Sequence, residues 1–141
     1  MIIYLDTSSL FKLYHYEDGT DELDKLFAEN NISEILLSEI SKIEFTSTVW
    51  KKIRMRDLDE ERGTKLLHLF REDRDKYTFI EVSNEIIKLS VELIKKYGSF
   101  GLRTLDSIQL ATAQKYKDKI NYGKTSDKIL GELLSKIGVV S

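Results

Sequence analysis

The chain has 141 residues, with 22 Lys and Arg against 24 Asp and Glu for a net charge of −2, so no global basic field advertises nucleic-acid binding. It contains no cysteine, which excludes disulfide, zinc-thiolate and thiol-nucleophile chemistry, and no apolar run reaches membrane-span length. With 33% charged residues, no proline and seven glycines, the composition fits one helix-rich α/β domain over residues 1–141, which we expect to be cytoplasmic.

The first stretch, MIIYLDTSSLF, places four apolar residues from Ile2 to Leu5 directly before Asp6 and the hydroxyl residues Thr7, Ser8 and Ser9. A continuous apolar run without alternation predicts a strand buried on both faces, as at the centre of a parallel sheet. Ligands bind beyond the carboxyl ends of such strands, where Asp6 stands. Leu10, Leu13 and Tyr14 follow at helical spacing, and Asp18-Gly19 breaks the pattern.

Further helices are predicted over about 21–29, from an N-cap at Ser38 through Lys52, over 57–74, from an Asn84 cap to about Tyr97-Gly98, over SIQLATAQKY after Asp106, and over 128–136. Strands are predicted at Ile32–Ser38, Tyr77–Val82, weakly around Ile120–Thr125, and at the terminal GVV. Strands alternating with helices argue for an α/β sandwich with a mostly parallel sheet.

Asp6, Asp106 and Asp127 each sit at a predicted element boundary, and each alone reads equally as a helix N-cap. Glu44 falls at the edge of the apolar arc of its helix, near Ile40 and a turn before Ser47 and Thr48. A carboxylate there is costly unless it is paired or metal-bound; the plain alternative is a surface Glu at the margin of the stripe.

The segments YLDTSSLFKLYHYEDG, SEISKIEF, LRTLDSIQLATA and KTSDKIL, in that order and at these spacings, resemble the PIN-domain ribonucleases, and most of all the VapC-type toxins of toxin-antitoxin pairs. The resemblance implies a three-layer sandwich with a central, mostly parallel sheet flanked by helices on both faces. It implies that Asp6, Glu44, Asp106 and Asp127 form an acidic pocket holding magnesium or manganese, with Thr7, Ser8 and Thr125 as supporting polar groups. The implied activity is hydrolysis of RNA phosphodiester bonds to 5′-phosphate and 3′-hydroxyl ends. The implied partners are RNA, a cognate antitoxin and a second copy of the chain, with no membrane. The fourth motif departs from the family pattern, because Asn121, Tyr122, Gly123 and Lys124 stand where an apolar strand is usual.

Four carboxylates with no histidine at the motif positions make a hard-oxygen donor set suited to magnesium or manganese rather than zinc. RNA approaching such a site needs a basic rim, for which Lys12, Lys51, Lys52, Arg54, Arg56, Arg103, Lys124 and Lys128 are candidates. The densest cluster, KKIRMR from Lys51 to Arg56, reads equally as a solvated helix end with favourable dipole placement. His15 and His68 read as packing or surface residues. Trp50, Phe11, Tyr14 and Tyr16 read as core or dimer-interface residues rather than base-stacking platforms.

Two other functional classes remain open at this level. An RNA-processing or quality-control nuclease shares the toxin's chemistry. A non-catalytic α/β interaction module would use the three boundary aspartates as caps and carry Glu44 on its surface.

Overall fold

β1 (Ile2–Leu5) is the strand on which both halves of the core rest, and its alternating residues divide between them. In this computed structural model, which describes residues 1–141, Ile3 and Leu5 join Leu10, Phe11, Leu37, Phe45, Val49 and Phe70 on one face of the sheet. Tyr4 joins Leu36, Ile86, Leu93, Leu110, Leu130 and Leu133 on the other. Successive strand residues point to opposite faces, so an uninterrupted apolar run supplies both cores at once.

The remaining elements are α1 (Thr7–Lys12), α2 (Thr20–Glu29), β2 (Glu34–Ser38), α3 (Ser41–Arg54), α4 (Glu60–Glu72), β3 (Thr78–Ile80), α5 (Asn84–Tyr97), α6 (Thr104–Lys115), β4 (Tyr122–Lys124) and α7 (Lys128–Lys136). The four strands form one sheet in the order β3-β2-β1-β4. Every pairing is parallel, with Tyr4 opposite Leu36 on one side and Gly123 on the other. The chain therefore moves outward from β1 through β2 to β3, then returns to the opposite flank with β4. That reversal opens a crevice at the carboxyl end of β1, directly beyond Leu5. No helix is long and apolar enough to cross a membrane.

Several expected boundaries shift for identifiable reasons. Ser38 does not cap α3: it is the last residue of β2, paired with Ile80, and the N–H of Glu39 continues the ladder to the Ile80 carbonyl at 2.8 Å. Helix α3 starts at Ser41 without a side-chain cap. Ser83, not Asn84, caps α5, its Oγ accepting from the Ile86 N–H at 3.3 Å. Helix α6 begins two residues before Asp106, with Arg103 at the cap position, so Asp106 is free of any capping role.

The terminal GVV is not a strand. Gly138 adopts φ +93° just past α7, donating to the Ser135 carbonyl at 3.1 Å while the Val139 N–H reaches the Leu134 carbonyl at 3.0 Å. This is a Schellman stop, and it turns Val139 into the core. The same residue explains the polar fourth strand. A Cβ on Gly123 would stand 2.8 Å from Val139 Cγ1, so the apolar filling there comes from the chain terminus instead of β4.

Candidate active site

A cleft of about 320 Å³ opens at the carboxyl edge of the sheet, lined by Asp6, Glu44, Asp106 and Asp127 together with Thr7, Ser8, Glu17, Lys52 and Gln109 among others. The four acids come from four segments far apart in sequence. Each reaches the cleft because its element starts at this edge of the sheet.

Asp6 is both a cap and a cleft residue. Its Oδ1 accepts from the Ser9 N–H at 2.9 Å and closes the first turn of α1. The Ser8 hydroxyl lies 2.7 and 2.9 Å from its two oxygens, and Thr125 Oγ1 donates to Oδ2 at 2.5 Å. The carboxyl is only 5% exposed, and burial raises its pKa against the lowering effect of those donors. Ser8 and Thr125 both bond the Asp6 carboxylate.

Glu44 lies in the first turn of α3. Its Oε1 accepts from Thr7 Oγ1 and from Gln109 Nε2, both at 2.8 Å. Burial raises its pKa first, and the Asp6 charge adds to this. Asp127 is exposed and caps α7, accepting from the Leu130 N–H at 2.7 Å. Its own N–H donates to Thr125 Oγ1 at 3.0 Å, so Thr125 ties the last acid to the first. The fourth motif is seated despite its unusual strand.

Asp106 is half-buried and makes no side-chain hydrogen bond within the chain. Its pKa is pushed up to about 6, by burial first, then by Asp127, Glu44 and Asp6, with Arg103 pulling the other way. Burial is the largest cause of this shift and the neighbouring carboxylates add to it; a divalent cation would relieve that added repulsion. The donor set therefore fits magnesium or manganese in chemistry. In arrangement the side chains are spread along the cleft, since no three of them are gathered as a ready ligand cage.

Gln109, only 2% exposed, is a site residue that the sequence alone does not single out. Its amide bonds Glu44, Thr7 Oγ1 at 3.2 Å and Ser41 Oγ at 3.3 Å, and its carbonyl accepts from the buried Tyr4 hydroxyl. The available signal is its position three residues after Asp106, one helical turn along, as a polar residue inside SIQLATA.

The basic candidates separate sharply. Lys52 lines the cleft, and Arg103 borders a second depression with Glu44 and Asp106. Lys51, Arg54 and Arg56 are exposed but do not line the cleft. Lys12 pairs with Glu17 at 2.9 Å and Lys124 with Glu22 at 2.6 Å, while Lys128 is exposed.

His15 packs its ring 5.6 Å from that of Phe11, and exposed His68 lies 3.1 Å from Glu72, so neither enters the site. Of the aromatics, Phe11 is core and Tyr14 is half-buried, bonded to Tyr77 and Asp73. Trp50 and Tyr16 are not core residues, at 43% and 70% exposure.

The PIN domain family model matches residues 3–129. The chain belongs to the PIN-domain family. No curated protein sequence matches it. Among solved structures, this PIN domain is similar to VapC20 of Mycobacterium tuberculosis, described as a sarcin-ricin-loop-cleaving toxin, at 14% identity and TM-score 0.71, over 98% of this chain and 96% of that one. A toxin-antitoxin complex from Klebsiella pneumoniae matches at 21% identity and TM-score 0.67, over 99% and 96% of the two chains. FitAcB from Neisseria gonorrhoeae matches at 14% identity and TM-score 0.69, over 98% and 94%. At these identities the likeness establishes the fold: four parallel strands with helices on both faces, as in VapC structures.

Proposed function

We propose that this PIN domain is a magnesium- or manganese-dependent endoribonuclease and the toxin component of a toxin-antitoxin pair. The observation that carries the reading is that Asp6, Glu44, Asp106 and Asp127 line one cleft, where burial first and the three other acids after it raise Asp106 to about 6. These four residues would hold the cation. Bound there, it would offset the negative charge of the cleft, polarise the scissile phosphodiester and promote deprotonation of the attacking water.

The chain's own residues prepare the site. Ser8 and Thr125 orient Asp6, and Thr7 and Gln109 orient Glu44, toward the cleft. Lys52 and Arg103 supply positive charge where a polyanion enters. The toxin assignment draws on the fold shared with toxin and toxin-antitoxin structures. The partners that go with it are RNA, an antitoxin covering the acidic cleft, and a second copy of the chain.

The test is cleavage of structured RNA with magnesium or manganese, with the product ends sequenced. The wild type should cut, and a chelator, Asp6→Asn or Asp106→Asn should each stop it. Full activity in both variants sinks the reading. A short antitoxin reading frame beside the gene separates a toxin from an RNA-processing nuclease of the same chemistry.

A further inference from the structure

Five carboxylates line the cleft, and Lys52 is the only cation among the lining residues. Its place on α3 is regular. Glu44, Thr48 and Lys52 follow at intervals of four and form one stripe along the wall, with all three lining the cleft. Eight residues of helix span about 12 Å. The Lys52 backbone thus stands about two turns beyond Glu44 along the cleft wall.

The surroundings of Lys52 favour such a role. Glu17 also faces the cleft, and its Oε1 is neutralised at 2.9 Å by Lys12, whose side chain is only 10% exposed. Lys52 stands farther away, 3.5 Å from Glu17 Oε2, with its ammonium 5.8 Å from the centre of the Phe11 ring. Glu17 already has a close partner, so the second lysine is held loosely and keeps a charge to offer. The Glu17 carboxylate bridges two ammonium groups, as an anionic oxygen of a phosphate also can.

We infer that Lys52 is the subsite for a flanking phosphate of a single-stranded RNA segment, and that Glu17 retains it until the phosphodiester displaces the carboxylate. The inference rests on the nuclease reading and names how that site takes its substrate. The strand then runs along α3 from the carboxylates toward the carboxyl end of α1.

The experiment uses the full chain, with binding of a labelled single-stranded RNA measured in chelator across a salt series and cleavage of structured RNA measured separately with manganese. Lys52→Ala should weaken binding about tenfold for RNAs of unrelated sequence. It should also make the slope of log affinity against log salt shallower by about 0.7, the loss of one phosphate contact. Lys52→Arg should restore both, which repacking alone would not do. Glu17→Gln should tighten binding a few-fold, and this gain should vanish in the Lys52→Ala background.

Unchanged affinity and slope in Lys52→Ala overturn the subsite, whether or not the melting midpoint moves. Weaker binding in Glu17→Gln overturns the retaining role of Glu17. If manganese-dependent cleavage is absent while Lys52→Ala still lowers affinity and slope, the nuclease reading falls and the phosphate subsite stands.

Discussion

Gln109 Nε2 lies 2.8 Å from Glu44 Oε1 across 65 residues of chain, and the Tyr4 hydroxyl on the other side of the amide decides which way it points. Tyr4 donates to the carbonyl oxygen, so the nitrogen must face Glu44. Gln109→Leu removes that donor and leaves Glu44, Thr7 and the Tyr4 hydroxyl short of a partner in a buried setting. Urea unfolding should show a loss of about 2–3 kcal/mol. Manganese affinity, followed by calorimetry, should fall together with RNA cleavage.

Capping and charge are separable at Asp127. Asparagine keeps a cap oxygen for the Leu130 N–H but loses the negative charge. Asp127→Asn should unfold within a few tenths of a kcal/mol of wild type, and Asp127→Ala about 1 kcal/mol earlier. Both should lose most RNA cleavage. If Asp127→Asn cleaves at the wild-type rate, Asp127 is a cap and nothing more.

Metal-free stability should fall with rising pH in the acid range. The Asp106 pKa of about 6 lies above its ordinary 3.8, so between those values the folded chain binds more protons than the unfolded one. Stability therefore decreases as pH climbs through that window. Burial moves Asp6 and Glu44 in the same direction. The Asp106 share is on the order of 1 kcal/mol after solvent screening. Thermal melts in chelator should show the decline, Asp106→Asn should reduce it, and added manganese should offset it increasingly toward neutral pH.

Gly138 ends α7 at φ +93°, where a side chain is strained. Gly138→Ala should cost about 1 kcal/mol in chemical denaturation by disturbing the turn that carries Val139 into the core. The carboxylate cleft lies at the edge where α7 begins, so manganese affinity per folded molecule should be unchanged.

Most elements are legible in order because their apolar periodicity is local. Ile2–Leu5 reads as a doubly buried strand, and the stripes of α4 and α5 read as helices, since a face that must be buried repeats at the period of its element. The errors fall where tertiary partners override local preference. Ser38 is drawn into the ladder by Ile80, and the turn at Gly138 carries Val139 into the core while Val140 stays exposed, so the two do not form a strand.

The sequence by itself determined the sandwich of alternating strands and helices, the placement of Asp6 beyond the central strand, and an all-oxygen donor set at the motif positions. Those follow from short-range chemistry and from residue types that cannot be exchanged for one another. Only the tertiary structure decided that Asp106 feels the other three acids and that Lys52 rather than Lys51 or Arg54 lines the cleft. It also decided that Tyr4 and Gln109 position Glu44. These outcomes depend on how α3, α6 and α7 meet at one edge of the sheet, and contacts between residues 21 or more apart leave no periodic trace in the chain.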